Sequence, residues 1–256
     1  MNIVRIARVT VLALVPAWLA VTPVLADDAH FCSVPAYLLS TDSTLPKVAE
    51  AFKARAPIRV LIIGSRSSVL SGPDGAASSY PARFEAALRD KLPGIAISVV
   101  TDLHPREMAA DVAGKIEKIV QERNPTLVVW QTGTVDAMRA IDPDDFRAAL
   151  DTGMAALQKA NADVILMNLQ YSPRMETVLA ATNYNDTIRV VAQEHGAPLF
   201  DRFAIMRAWS EAGDFDLFAR ARSIGVAARV HDCIGRALSR LVIEAARINP
   251  SELGGR

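Results

Sequence analysis

Residues 58–68 read IRVLIIGSRSS, and this stretch decides the fold. Its first part, Ile58–Ile63, is almost wholly apolar and β-branched, which is typical of a strand that is covered on both faces. A glycine and three serines follow directly, which is the composition of a tight turn. The stretch therefore predicts one strand of a parallel sheet between helices. It also raises a question of function, because Arg66 stands among serines that resemble a nucleophile turn.

Strands and helices alternate along the rest of the chain. The predicted strands are Ile58–Ile63, Ile95–Val100, Thr126–Gln131, Asp163–Leu169 and Ala197–Phe200. The predicted helices are Leu45–Arg55, Pro81–Leu92, Glu107–Arg123, Asp144–Ala160, Val178–His195, Arg202–Ala212 and Ala227–Ala246. This alternation predicts a three-layer α/β/α sandwich around a five-stranded parallel sheet. Ligands bind such sheets where the strands end, so the functional candidates lie at 64–68, 101–106, 132–136 and 170–174.

The first 26 residues have the pattern of an export signal. The basic residues Arg5 and Arg8 precede the apolar stretch Val9–Ala20, and small residues end the segment at Ala26. We expect cleavage after Ala26 and a periplasmic or secreted mature protein with no membrane span. The predicted organisation is a signal peptide at 1–26, an N-terminal segment with a short helix at 27–56, one domain at 57–248 and a C-terminal tail at 249–256.

Charge and residue composition indicate which partners and cofactors to expect, and the cysteines indicate a disulfide. Lys and Arg together number 28, as do Asp and Glu, so the net charge gives no reason to expect binding to nucleic acid or to an anionic membrane. The sequence has no metal-ligand cluster and no nucleotide fingerprint, and we expect neither a metal nor a cofactor. In an exported protein the two cysteines, Cys32 and Cys233, are expected to form a disulfide.

Four motifs together resemble the SGNH (GDSL-type) hydrolases, particularly their exported members. They are VLIIGSRSS at 60–68, SYPARFEAAL at 79–88, VVWQTGTVDAMR at 128–139 and HDCIGRALSRL at 231–241. The resemblance covers roughly residues 45–246 and implies the flavodoxin-like SGNH fold. In that family a serine after the first strand attacks an ester, and a histidine ahead of the last helix takes its proton. A glycine and an asparagine help to hold the oxyanion.

Carried over residue by residue, the resemblance implies that the catalytic residues are replaced. The serine position falls on Arg66, the oxyanion glycine on Leu103 and the asparagine on Val135, while the histidine falls near Gly225 and the aspartate near Arg222. Arg66 has no nucleophilic atom, Val135 has no amide donor and Gly225 cannot accept a proton. Loss of one oxyanion donor typically costs about 3–4 kcal/mol of transition-state stabilisation.

A shifted catalytic arrangement stays open beside this interpretation. Ser65 or Ser67 could be the nucleophile, although serines also stabilise tight turns by backbone hydrogen bonds. His104 is either a site residue or a solvated loop residue. His231 has Asp232 beside it, but neighbours on a helix face different directions, so a structural role is favoured.

Arg66 itself has two interpretations. With His104 and Arg106 on the next loop, it would form a cationic pocket for carboxylate, sulfate or phosphate groups. Alternatively it forms an ion pair with Asp136 and fills the former site. Two further residues, Tyr171 and Arg174, are expected at the rim of the cleft.

Three functions follow from these alternatives. The first is an exported SGNH-family protein without serine-esterase activity that binds an anionic or carbohydrate-related ligand or a periplasmic partner protein. The second is an active esterase or acyl-ester hydrolase that uses Ser65 or Ser67. The third is a structural subunit without a small ligand. Sequence alone leaves enzymatic activity undecided between them.

Overall fold

The computed structural model describes residues 32–173, 181–218 and 224–253. From Cys32 onward the chain forms one compact unit. The signal peptide expected at 1–26 lies outside the described residues. Among the residues that are described, no helix is both long and apolar enough to cross a bilayer.

Five parallel strands form one sheet at the centre of the molecule. They are β1 (Ile58–Gly64), β2 (Ile97–Leu103), β3 (Leu127–Gln131), β4 (Asp163–Met167) and β5 (Leu199–Phe200). Their order across the sheet is β2-β1-β3-β4-β5, and every neighbouring pair is parallel. β1 lies inside the sheet, and all of its residues except Arg59 are buried. The predicted five-stranded parallel α/β architecture is therefore confirmed.

Nine helices are present in the described ranges. They are α1 (Pro46–Lys53), α2 (Gly75–Ser78), α3 (Tyr80–Lys91), α4 (Ala109–Arg123), α5 (Thr134–Met138), α6 (Pro143–Lys159), α7 (Ala181–Glu194), α8 (Arg202–Glu211) and α9 (Ile224–Ala245). The predicted helices are present and differ at several ends, the start predicted at Val178 lies outside the described residues, and α2 and α5 are additional. Single 3-10 turns occur at Ala36–Leu38, Arg66–Ser68 and Pro250–Leu253.

The strand order places the helices in two layers. The chain moves from β1 outward to β2 in one direction and from β2 to β3, β4 and β5 in the other. Because crossovers between parallel strands are right-handed, reversing direction puts the connecting helices on opposite faces. Accordingly α3 packs on α9, whereas α4 packs on α6 and α6 packs on α7. The direction reverses between β1 and β3, where sheets of this kind bind ligands.

Strand β2 differs in position from the prediction, which placed it at Ile95–Val100. Residues 97–103 pair with all of β1, from Ile58 opposite Ile97 to Gly64 opposite Leu103. β2 is an edge strand with several exposed side chains, so polar Thr101 and Asp102 continue it although they end the apolar run. Thr101–Leu103 therefore belong to the strand and not to the following loop.

A disulfide joins the beginning of the described chain to the last helix. Cys32 and Cys233 are bonded, with their Cα atoms 5.1 Å apart, which confirms the predicted pair. The backbone amide of Leu45 also donates to the carbonyl of Ala245 at 3.1 Å. The N-terminal segment is thus attached to α9 at two points.

Candidate functional site

The Ser65–Ser68 turn follows β1 at the point where the strand order reverses. Ser65 and Ser67 are half-buried, and Ser68 is fully buried. The side chain of Arg66 is exposed and forms no hydrogen bond or ion pair with the described residues, while its carbonyl accepts from the backbone amide of Val69 at 3.4 Å. The position that the resemblance assigns to the nucleophile thus carries a solvated cation.

The predicted ion pair between Arg66 and Asp136 is not formed. Asp136 is only 2% exposed, and its Oδ1 accepts a hydrogen bond from the backbone amide of Ala109 at 3.0 Å. Burial raises the pKa of the Asp136 carboxyl. Asp136 therefore serves the N-terminal end of α4 instead of neutralising the turn.

Gln131, the last residue of β3, connects the serines to one another. Its Nε2 donates to Ser65 Oγ at 3.0 Å and to Ser67 Oγ at 2.9 Å. Its Oε1 accepts from Ser68 Oγ at 2.8 Å and from the Tyr80 hydroxyl at 3.1 Å. The amide group consequently holds the oxygens of Ser65 and Ser67 as acceptors. The two oxygens are also 3.4 Å apart, so one hydroxyl can donate to the other and at least one proton stays available to other groups.

His104 lies next to the turn but does not pair with a serine. Its backbone amide donates to the carbonyl of Gly64 at 2.8 Å. Its ring lies between two carboxylates, with Nε2 3.4 Å from Asp102 Oδ1 and Nδ1 3.2 Å from Glu107 Oε2. A small cavity of about 20 Å³, room for about one water molecule, is lined by both Ser65 and His104.

His231 lies within α9, as the helical pattern predicts. Its Nδ1 accepts a hydrogen bond from the backbone amide of Tyr80 at 2.9 Å, so a neutral ring carries its proton on Nε2. Burial, and to a smaller extent the nearby Arg202 guanidinium, lowers the pKa of His231 to about 4. His231 is thus a neutral donor near neutral pH and has no lone pair left for a serine. Asp232 does not orient it, since its Oδ2 pairs with Arg236 Nη2 at 2.6 Å.

Arg202 is a buried cation that the sequence analysis did not identify as a site residue. It is the first residue of α8 and is 1% exposed. Its Nη1 approaches Ser67 Oγ at 3.5 Å, and its Nε and Nη2 have no hydrogen-bond partner in the described ranges. Burial lowers the pKa of the guanidinium to about 10, which still leaves it charged at neutral pH.

The adjacent carboxylate does not neutralise Arg202. Asp201 accepts hydrogen bonds from Asn168 Nδ2 at 2.7 Å, Arg189 Nη2 at 2.9 Å and the backbone amide of Ala204 at 2.9 Å. Asp201 therefore anchors the loop after β5, whereas the Nη1 of Arg202 approaches the serine turn.

The predicted cationic pocket does not form. Arg66 and Arg106 are both exposed, and the carboxylates of Asp102 and Glu107 flank His104. Arg106 has a left-handed backbone with φ 69°, and its carbonyl accepts from Arg139 Nη2 at 3.1 Å. The surroundings of His104 are therefore acidic rather than cationic.

The two residues predicted at the rim have different outcomes. Tyr171 is 6% exposed and packs edge-on against Phe203, with ring centroids 5.2 Å apart. It belongs to the core and not to the rim, because its side chain is buried. Arg174 lies outside the described residues.

The structure describes three of the other four positions that the resemblance assigns to catalytic residues. Leu103 ends β2 opposite Gly64, and Val135 lies in α5 and lines the cavity beside His104. Gly225 is exposed in the first turn of α9, not in the loop ahead of it, because the helix begins at Ile224. Arg222 lies outside the described residues. No cluster of potential metal ligands occurs in the part of the chain that the structure describes.

Solved structures with the same fold are esterases and related hydrolases. LAE5, an alpha/beta hydrolase enzyme from the metagenome of Lake Arreo, matches with a TM-score of 0.60 and 20% identity over 75% of this chain and 98% of its own. TesA matches with a TM-score of 0.57 and 19% identity over 72% and 99% of the two chains. A variant of Axe2, an acetyl xylan esterase from Geobacillus stearothermophilus, gives 0.57 and 20% over 73% and 96%. At these identities the likeness establishes the fold alone.

Comparison of sequences gives the family. No curated protein sequence matches the chain. The model of the Non-GDSL lipase-like family matches residues 31–248, which is most of the chain. The sheet order, the serine turn after β1 and this match agree: the fold is of the SGNH hydrolase type, and the chain belongs to the Non-GDSL lipase-like family.

Proposed function

We propose that this protein has no serine-hydrolase activity and acts by binding an anionic or carbohydrate-related ligand, or a partner that carries such groups. The binding site is the carboxyl edge of the sheet around the Ser65–Ser68 turn. One observation carries the proposal: in the described ranges no histidine nitrogen forms a hydrogen bond with a serine hydroxyl, and the ring nitrogens of His104 and His231 have carboxylates or a backbone amide as their near neighbours.

Serine nucleophiles need such a nitrogen. A serine hydroxyl is a weak nucleophile until an adjacent base takes its proton. Both ring nitrogens of His104 face carboxylates, and Nδ1 of His231 is occupied by the Tyr80 amide. The oxygens of Ser65 and Ser67 accept hydrogen bonds from Gln131, which withdraws electron density from the atom that would attack. These contacts support binding rather than acyl transfer.

A fluorophosphonate probe tests the absence of an activated serine. We expect no labelling of the wild-type protein under conditions in which an active acetyl xylan esterase is labelled completely. Labelling that disappears in Ser65→Ala or Ser67→Ala would contradict the proposal.

Restoring the family serine gives a second test. Arg66→Ser replaces an exposed side chain, so the fold should be retained. We expect its turnover of p-nitrophenyl acetate to equal that of wild type, because the variant still lacks the base and the asparagine donor. A rise of tenfold or more would place a functional base near this turn.

One observation favours ester hydrolysis as a second candidate. Ser65 and His104 line the same cavity, and the carboxylate of Asp102 lies 3.4 Å from the ring. If this group hydrolyses esters, Ser65→Ala and His104→Ala should each abolish turnover while Ser67→Ala retains it. Equal background rates in all three variants would exclude this candidate.

We further propose that the protein acts outside the cytoplasm. The export pattern at 1–26 and the Cys32–Cys233 disulfide both support this location, since disulfides persist in oxidising compartments. Cell fractionation of the full chain with an antibody checks it. Recovery of the uncleaved chain in the cytoplasm would contradict it.

A further inference from the structure

We infer that Arg202 is the buried anchor of an oxyanion site beneath the Ser65–Ser68 turn, and that the ligand bears a carboxylate, sulfate or phosphate group. The inference rests on the proposed function and deepens it, because it names the chemistry of the ligand and the residue that binds it. It also moves the cation of the site from exposed Arg66 to buried Arg202.

The first argument is the unsatisfied edge of the guanidinium. Arg202 is 1% exposed, yet its Nε and Nη2 have no hydrogen-bond partner among the described residues. Buried polar groups are almost always paired, and an uncompensated buried charge costs several kcal/mol. The Nε–H and one Nη2–H bond lie side by side on one edge of the guanidinium plane. That edge matches the two oxygens of a carboxylate, or two oxygens of a sulfate or phosphate, in a bidentate pair.

The second argument is the lack of an internal counter-charge. The neighbouring Asp201 accepts hydrogen bonds from Asn168, Arg189 and Ala204, and it forms no ion pair with Arg202. The groups that face the guanidinium are the Ser67 hydroxyl, the Tyr80 phenol and the imidazole of His231. All three are uncharged at neutral pH, so an entering oxyanion supplies the negative charge that this part of the structure lacks.

The third argument is the direction of the hydroxyl donors. Ser65 and Ser67 accept from Gln131 Nε2, and the 3.4 Å contact between their own oxygens uses at most one of their two protons, so at least one remains to be donated. Ser67 is half-buried and lies 3.5 Å from Arg202 Nη1, so it stands between the surface and the guanidinium. Hydroxyl donors above a buried cation form a suitable surrounding for an oxyanion and a poor one for a nucleophile.

A thermal-shift titration tests the inference. We expect the melting temperature of the wild-type protein to rise with sodium sulfate and to saturate, relative to sodium chloride at matched ionic strength. Arg202→Met removes the cation and retains the volume of the side chain. This variant should be folded without sulfate and should lose the saturable rise. The matched control, Arg66→Met, removes an exposed cation from the same turn and should retain the rise.

A second variant keeps the inference testable if Arg202→Met does not fold. Ser67→Ala removes one hydroxyl donor and leaves the guanidinium in place, and it should increase the sulfate concentration at half-saturation about fivefold to tenfold. Unchanged saturation in Ser67→Ala and in Arg202→Met would overturn the inference. So would a sulfate effect that never saturates in the wild type.

Sodium glucuronate and glucose distinguish the sources of the oxyanion. Saturation by glucuronate at lower concentration than by sulfate, with no effect of glucose, supports a carboxylated sugar. Saturation by sulfate alone supports a small inorganic oxyanion. The fluorophosphonate experiment is independent of these outcomes: labelling would contradict the non-catalytic proposal, and a missing anion effect without labelling would overturn only the anion site.

Discussion

His231 is a buried residue whose ionisation affects the stability of this molecule. Its ring is 7% exposed and accepts the Tyr80 amide through Nδ1, so protonation would remove that acceptor. Protonation would also put a second cation near Arg202. Burial and this neighbour lower the pKa of His231 from about 6.5 to about 4. As pH falls, the unfolded chain therefore takes up this proton before the folded protein does.

We predict that stability falls as pH is lowered from about 6.5 to about 4. The contribution of His231 to this loss is at most about 3 kcal/mol, because each unit of pKa shift corresponds to about 1.4 kcal/mol. His231→Asn keeps an acceptor for the Tyr80 amide and cannot be protonated. Urea unfolding at pH 7 and pH 4.5 should give a smaller difference for this variant than for wild type. His195→Asn, which leaves His231 in place, should keep the wild-type difference; an equal loss in His231→Asn would contradict the assignment.

The serine turn can be predicted from the sequence, but the residues that determine its hydrogen bonds and its charge cannot. Ser65, Arg66 and Ser67 were recognisable because glycine and serine after an apolar strand form a local pattern. Arg202 lies 135 positions from Ser67 and Gln131 lies 64 positions from it. No sequence pattern relates residues that are so far apart along the chain, so only the structure shows which buried polar groups are in contact.

Helices α4 and α6 pack against each other over the Trp130 ring. Gly153 on α6 makes this approach possible, since a β-carbon at that position would overlap the Trp130 ring and come close to Ile116 of α4. Trp130 is 1% exposed and lies at the end of β3. A missing side chain on one helix therefore sets the distance of that helix from the sheet.

We predict that Gly153→Ala destabilises the protein by about 1–3 kcal/mol, because the ring must move to accept the methyl group. Gly114→Ala is the matched control on the facing helix. Gly114 has no atom within 4 Å of an added β-carbon, so alanine there should stabilise by about 0.5–1 kcal/mol. Urea unfolding of the two variants checks the opposite signs. Equal stability in both would show that the ring is free to move.

Elements with a continuous apolar or amphipathic pattern are predicted well from the sequence. β1 and β3 are buried along nearly their whole length, so an apolar run marks them. The predicted bounds of β2 are wrong because backbone pairing with β1 extends this edge strand through polar residues. The helix α5 has five residues, too few for a periodic pattern, and it follows Gly133 with φ 91°.

At the scale of the whole molecule, the disulfide closes almost the entire described chain into a loop. Cys32 and Cys233 are 201 positions apart in sequence. Cross-links over long loops reduce the conformational entropy of the unfolded chain most, by about 5 kcal/mol for a loop of this length. The cysteines could be paired from the sequence because the chain contains only two.

We predict that Cys32→Ser with Cys233→Ser lowers the free energy of unfolding by about 3–5 kcal/mol. Urea unfolding with and without dithiothreitol measures this loss. Reductant should destabilise wild type by a similar amount and should not affect the double variant. A wild-type protein that is insensitive to reductant under unfolding conditions would show that the cross-link does not contribute in this way.

The position of this cross-link also determines how the protein responds to mechanical force. Tension applied between residue 32 and the end of α9 passes through the sulfur atoms into the helix and does not cross the sheet. Pulling on the oxidised protein can lengthen only the segment after Cys233, whereas reduction exposes all five strands to the load. The covalent link thus shields the carboxyl edge of the sheet from stretching along the chain.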